Sequence, residues 1–134
     1  MTNLFKSLVF GAALAAAPSA VAAPRDTPDQ QLLKLIAGRV AGKPVDCISL
    51  NTSQSSTVID HTAIVYRVGS RLYVNVPRSG ADQLDDDNIL LTKTFSSQLC
   101  SIDTVHLIDR TSRFPRGFVM LGQFVPYTKP PKQR

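Results

Sequence analysis

The stretch VIDHTAIVYRVGSRLYVNV, residues 58–76, decides the fold. Two runs rich in β-branched and aromatic residues flank Gly69-Ser70, the Gly-X pair that tight type II′ hairpins prefer. A two-residue turn there pairs Val68 with Arg71, Arg67 with Leu72, Tyr66 with Tyr73 and Val65 with Val74, then Ile64 with Asn75 and Ala63 with Val76. Side chains alternate across a strand, and opposite partners share a face. One face therefore carries Ala63, Val65, Leu72, Val74 and Val76, with Arg67 near the turn, and reads as core. The other carries Ile64, Tyr66, Val68 and Tyr73 with Arg71 and Asn75. It is amphipathic, with a tyrosine pair at its centre.

Around this hairpin, turn residues recur at short intervals. Cys47 to Leu50 begins a strand, and the polar, β-branch-poor Asn51 to Ser56 reads as a loop or bulge. Strand resumes at Thr57, and Asp60-His61 turns the chain into the hairpin. Pro77 to Asn88 is a long connection holding the run Asp85-Asp86-Asp87. Ile89 to Phe95, Leu99 to Ser101 and Asp103 to Asp109 follow as strands, the last with Val105 and Leu107 on one face and Thr104, His106 and Ile108 on the other. Arg110 to Gly117 reads as a basic loop. Phe118 to Val125 reads as one continuous apolar strand, buried on both sides, with a bend or bulge at Gly122 and an end at Pro126. The one helical signal precedes all of this. Thr27 can cap, Pro28 suits the first helical position, Gln30 completes a capping box, and Leu32, Leu35 and Ile36 form a stripe widened by Leu33 and Ala37. The ten acidic residues are all Asp, which favours turns over helix surfaces. The expectation is a mainly β fold, a small antiparallel barrel (OB- or SH3-like) or a sandwich of about six strands with one short N-terminal helix.

The chain has 134 residues, enough for one domain. Lys6, the uncharged apolar run Leu8 to Ala17 and the small residues before Pro24 follow the plan of a signal peptide, with Ala20-Val21-Ala22 fitting the cleavage rule. The run is too short to span a bilayer. Residues 1–22 are thus expected to be removed, leaving a periplasmic or secreted product without a transmembrane anchor. Residues 23–44 form a tail and the helix, 45–126 the β domain, and 127–134 a disordered basic, Pro-rich tail. In an oxidising compartment the two cysteines, Cys47 and Cys100, are expected to pair. A catalytic thiol would need a nearby base, and nothing places His61 or His106 beside either; no C-x-x-C or H-x-x-x-H spacing marks a metal site.

The net charge of +5 suggests anionic envelope partners, although charge of this size serves solubility first. Nucleic acid is not an expected partner of an exported chain. Asp85 to Asp87 lacks the alternating spacing and closing Glu of a hand-type calcium loop and reads as a solvated acidic loop. Adjacent Asp60 and His61 point opposite ways in extended backbone, as His106 does from Asp103 and Asp109, so no ready dyad is present. G-x-S-x-G, P-loop and dinucleotide patterns are absent, so no cofactor is expected. The amphipathic hairpin face supplies the candidate binding residues Tyr66, Arg71, Tyr73 and Asn75, with Arg110, Arg113 and Arg116 as an anion site if their loop folds beside it. Its partner would be an envelope protein, a peptide or an anionic glycan. The competing reading is that another element covers the tyrosines, since Ile64 and Val68 also want cover. The functional expectation is a non-enzymatic binding or interaction module of the envelope. Its alternatives are a structural or stress-related protein with no dedicated ligand, or a small hydrolase using a His/Asp pair.

Cys47-Ile48-Ser49-Leu50, Val58-Ile59-Asp60, Tyr73-Val74-Asn75 with Pro77, Leu99-Cys100-Ser101-Ile102-Asp103 and Leu121-Gly122-Gln123-Phe124 with Pro126 follow one another in order. Together they resemble a family of small exported proteobacterial proteins carrying a domain of unknown function. The resemblance covers about residues 45–126 and implies no assigned activity. In that family a further cysteine follows the Pro-containing strand and another precedes L-G-x-F, where this chain has Ala81 and Val119 or a neighbour. The resemblance thus makes Cys47 and Cys100 either one whole bridge or two halves left without partners.

Overall fold

The computed structural model describes residues 16–133. The signal segment falls mostly outside the described residues, and residues 16–27 have no regular structure. One helix, α1 (Pro28–Ile36), precedes ten strands: β1 (Val40–Ala41), β2 (Cys47–Ser49), β3 (Ser53–Ile59), β4 (Ala63–Val68), β5 (Arg71–Asn75), β6 (Asn88–Thr92), β7 (Gln98–Cys100), β8 (Thr104–Asp109), β9 (Pro115–Met120) and β10 (Phe124–Thr128). All pair antiparallel, in a five-stranded sheet ordered β1-β10-β5-β4-β3, a two-stranded sheet β2-β7 and a three-stranded sheet β6-β8-β9. The fold is mainly β, and no closed barrel forms among the described residues.

The β4–β5 hairpin has the register its turn dictates, from Val68 opposite Arg71 to Ile64 opposite Asn75. Gly69 has φ 61°, while Ser70 stays out of the left-handed region, the sign pattern of a type II′ turn. The first hairpin face carries Ala63, Val65, Leu72 and Val74, which with Ile59 form a cluster covered by Leu32, Leu35 and Ile36 of α1 and by Tyr127. The helix begins where the capping box demands: the Thr27 hydroxyl accepts from the Gln30 N–H at 3.3 Å, and the Gln30 carboxamide accepts from the Thr27 N–H at 3.0 Å. Leu33 falls off the stripe and is exposed, as is Val76, which lies beyond the end of β5.

The second hairpin face packs into the larger cluster, where Ile64 and Tyr66 meet Ile48, Leu84, Leu99, Val105, Leu107, Val119, Leu121 and Phe124. Both faces of the hairpin are therefore inside the protein. Cys47 and Cys100 stand directly opposite on β2 and β7 and form a disulfide, Cα to Cα 4.0 Å. The bridge fastens the two-stranded sheet, whose Ile48 and Leu99 enter the core.

The stretch Asn51 to Ser56, read as a loop or bulge, holds a bulge between Ser53 and Ser55, at the start of β3. Two expectations are corrected. The apolar run Phe118 to Val125 is not one strand. It is the end of β9 and the start of β10, which lie in different sheets, and the chain crosses between them at Leu121-Gly122-Gln123. Gly122 permits the crossing, because a Cβ there would sit 2.3 Å from the Val76 carbonyl oxygen. Pro126 lies within β10, which continues through Tyr127 and Thr128 into the segment read as tail. Its carbonyl accepts from the Gly42 N–H, so its nitrogen faces that same side, beyond the end of β1, and no bond to β5 is lost.

Candidate functional site

The hairpin residues singled out by the sequence do not form an open patch. Tyr66 is 5% exposed, Asn75 is fully buried and Tyr73 is half-buried, whereas Arg71 is exposed at the turn. The Tyr66 ring meets Phe124 edge-on with centroids 5.8 Å apart, and among the described residues its hydroxyl has no hydrogen-bond partner. Burial pushes the phenol pKa far above its ordinary value. Asn75 serves the fold: its Nδ2 donates to the Gly122 carbonyl at 2.7 Å and its Oδ1 accepts from the Gly122 N–H at 2.9 Å. These bonds hold the crossing from β9 to β10.

Nor do the three loop arginines gather beside Arg71. Arg110 neighbours Val58 and Asp86, at the end of the β-sheet remote from the Gly69-Ser70 turn. Arg116 is paired with Asp109 at 2.7 Å. Asp109 also accepts from the N–H groups of Ser112 (2.7 Å) and Thr111 (2.9 Å). The Ser112 backbone bond, then the Arg116 bond, hold its carboxyl down to about 2. Arg113 is exposed and in the left-handed region, φ 64°. The loop is a closed turn built around Asp109.

The acidic run has a structural use as well. Asp60 Oδ1 accepts from the Asp86 N–H at 2.8 Å, and the carboxylates of Asp60, Asp85 and Asp86 lie within 4.8 Å of one another. The Asp60 charge, then burial, raises the Asp86 pKa. His61 Nδ1 donates to the Asp82 carbonyl at 2.6 Å and braces the short 3₁₀ turn, Ala81–Gln83, against the β3–β4 turn. Among the described residues no histidine pairs with a carboxylate, so the dyad geometry of a His/Asp hydrolase is not assembled there.

Two open features remain. The first is a slot of about 270 Å³ between β3 and β6, lined by Ser56, Val58, Asn88, Ile89 and Leu90, with Asp86 and Arg110 also at its border. The second is the outer face of the β6-β8-β9 sheet. Its register places Leu91 opposite His106 and His106 opposite Phe118, so the three side chains form a row across the sheet. All three are exposed, Leu91 at 42% and Phe118 at 49%, and Met120 beside them at 39%. Half-buried Ile89 and Ile108 extend the row toward the Asp109 turn. The His106 and Phe118 rings are tilted with centroids 6.3 Å apart.

The alternation on β8 identified the face of His106 but not its neighbours. Phe118 and Met120 were hidden inside a run read as wholly buried, where nothing distinguishes them from Val119 and Leu121. No helix among the described residues is long and apolar enough to cross a membrane. No family model, curated protein or solved structure matches the chain.

Proposed function

We propose that the chain is a non-enzymatic interaction module of the cell envelope, exported after removal of residues 1–22, that meets a partner protein through the outer face of the β6-β8-β9 sheet. The observation that carries this reading is the exposed cross-strand row Leu91, His106 and Phe118. Both faces of the hairpin are covered, whereas this face presents a row of aromatic and aliphatic side chains to water, which supports a small contact surface rather than an extended interface. The resemblance to a family of small exported proteobacterial proteins and the disulfide support an exported chain.

Magnitude sets the kind of contact. Three strands about 4.8 Å apart and five residues of about 3.4 Å each give a footprint of roughly 250 Å². One side of a standard stable interface buries about 800 Å². A partner held by this face alone therefore exchanges readily, as a transient contact does. A benzophenone-bearing residue in place of Phe118 tests the reading in exported protein in intact cells, against the same probe in place of the exposed Thr111. Discrete crosslinked products from position 118 and none from 111 are expected. No product from either, or the same products from both, refutes the assignment of this face.

A further inference from the structure

We propose that the open edge of β3 is a second binding site, which takes an extended peptide segment of a partner protein as an added strand. The backbone identifies the occupant. Val68 and Arg71 flank a two-residue turn, so they exchange both backbone bonds, as do Tyr66 with Tyr73 and Ile64 with Asn75. The intervening residues of β4, Arg67, Val65 and Ala63, therefore turn their backbone groups toward β3, to Ser55, Thr57 and Ile59. Ser56 and Val58 must then direct their N–H and C=O groups away from β4. Strand β3 is the edge of its sheet, and among the described residues no other backbone bond reaches either residue.

The same two residues line the slot beside β6. Edge strands are ordinarily blunted by shortness, charge, proline or a covering segment. The opposite edge, β1, is two residues long. The outer edge of β9 is bridged by Ser79. Strand β3 runs seven residues, SQSSTVI, with no charge and no proline, and its bulge lies at the Ser53 end, away from Ser56 to Ile59. A volume of about 270 Å³ falls under the range of roughly 300–1,000 Å³ typical of small-molecule clefts. Spaced N–H and C=O groups along such a slot are matched by another extended backbone, the mode of strand addition. Alternate side chains of the added strand would enter between Val58 and Leu90, both packed against the core, which selects an apolar residue there. At the border Asp86 stands with Asp60 and Asp85 against Arg110, so a flanking position gains from a basic residue.

A displayed library of random heptapeptides is selected on the oxidised protein, and enriched peptides are titrated against the wild type, Ser56→Pro and Phe118→Ser. Proline removes the outward N–H of Ser56 and is tolerated on edge strands. Enriched peptides should alternate apolar with polar residues and carry a basic residue at a flank, and their binding should weaken about tenfold or more in Ser56→Pro while staying unchanged in Phe118→Ser. Amide exchange on the wild type supplies a readout that needs no variant: the Ser56 and Val58 amides should exchange fast when free and become protected on adding an enriched peptide. No enrichment, binders indifferent to Ser56→Pro, or amides unprotected by bound peptide overturns the proposal. Protection that rises with protein concentration alone also overturns it, because the occupant is then a second copy of the chain.

Discussion

Replacing Tyr66 by phenylalanine should stabilise the protein, because the hydroxyl is buried without a partner among the described residues. A buried polar group left unsatisfied costs about 1–3 kcal/mol, and Tyr66→Phe removes it while keeping the ring. The edge-on contact with Phe124 at 5.8 Å survives the change, since both residues present the same ring. We expect a gain of about 1–2 kcal/mol, which for a domain near this size raises Tm by roughly 3–10 °C. The chain has no tryptophan, so urea unfolding followed by far-ultraviolet circular dichroism is the suitable assay, with the stability taken from the midpoint and slope. The sign of the result carries the information. If Tyr66 belonged to an open surface, the substitution would be neutral within about 0.5 kcal/mol. A loss of about 1 kcal/mol would show that the hydroxyl is hydrogen-bonded, and would refute the claim that it is buried without a partner.

Three further outcomes follow from other parts of the molecule. Replacing both cysteines, Cys47→Ser with Cys100→Ser, should cost about 4 kcal/mol in the loop-entropy account for a closure spanning 53 residues, read as a lowered urea midpoint against the oxidised wild type; a loss under about 1 kcal/mol would mean that the bridge constrains nothing. Asn75→Ala strips both partners from the buried Gly122 backbone and should cost about 2–4 kcal/mol by the same assay, while a loss under about 1 kcal/mol would deny Asn75 its place as the clamp of the β9–β10 crossing. Asp109 is depressed in the folded state, so its contribution is present above the ordinary carboxylate pKa of about 3.9 and disappears as pH falls toward about 2. Between pH 5 and 2 the Tm of the wild type should therefore fall more steeply than that of Asp109→Asn, and parallel curves would contradict the turn built around this carboxylate.

The hairpin was legible because its turn and its pattern are local. The turn needs a positive φ that Gly69 supplies, two residues set the register, and period-two alternation sorts twelve side chains onto two faces. The helix start was legible for the same reason, since a capping box is complete within Thr27 to Gln30. The amphipathic face was misjudged at the next level up. Its alternation could not say that β2, β7 and β8 would bring Ile48, Leu99, Val105 and Leu107 over Tyr66. Such cover depends on contacts between residues far apart in the chain. Asn75 misled in a related way: a lone carboxamide among apolar residues reads as a binding group, and only its distant partner Gly122 shows it to be a brace. The row Leu91, His106 and Phe118 joins three separate strands, each contributing one residue. It exists only once the apolar run after Gly117 divides at Gly122 between two sheets.

Hydroxyl-radical footprinting of Leu91, His106, Phe118 and Met120 tests the central claim most directly, performed on the purified oxidised protein and on the same protein inside the cell envelope. Phe95, exposed in the β6–β7 connection, serves as the internal reference. The account predicts that the four residues are readily modified in the purified protein and lose reactivity relative to Phe95 in the envelope, where a partner covers the sheet. Equal modification in both settings would contradict it, because the face would then meet only water.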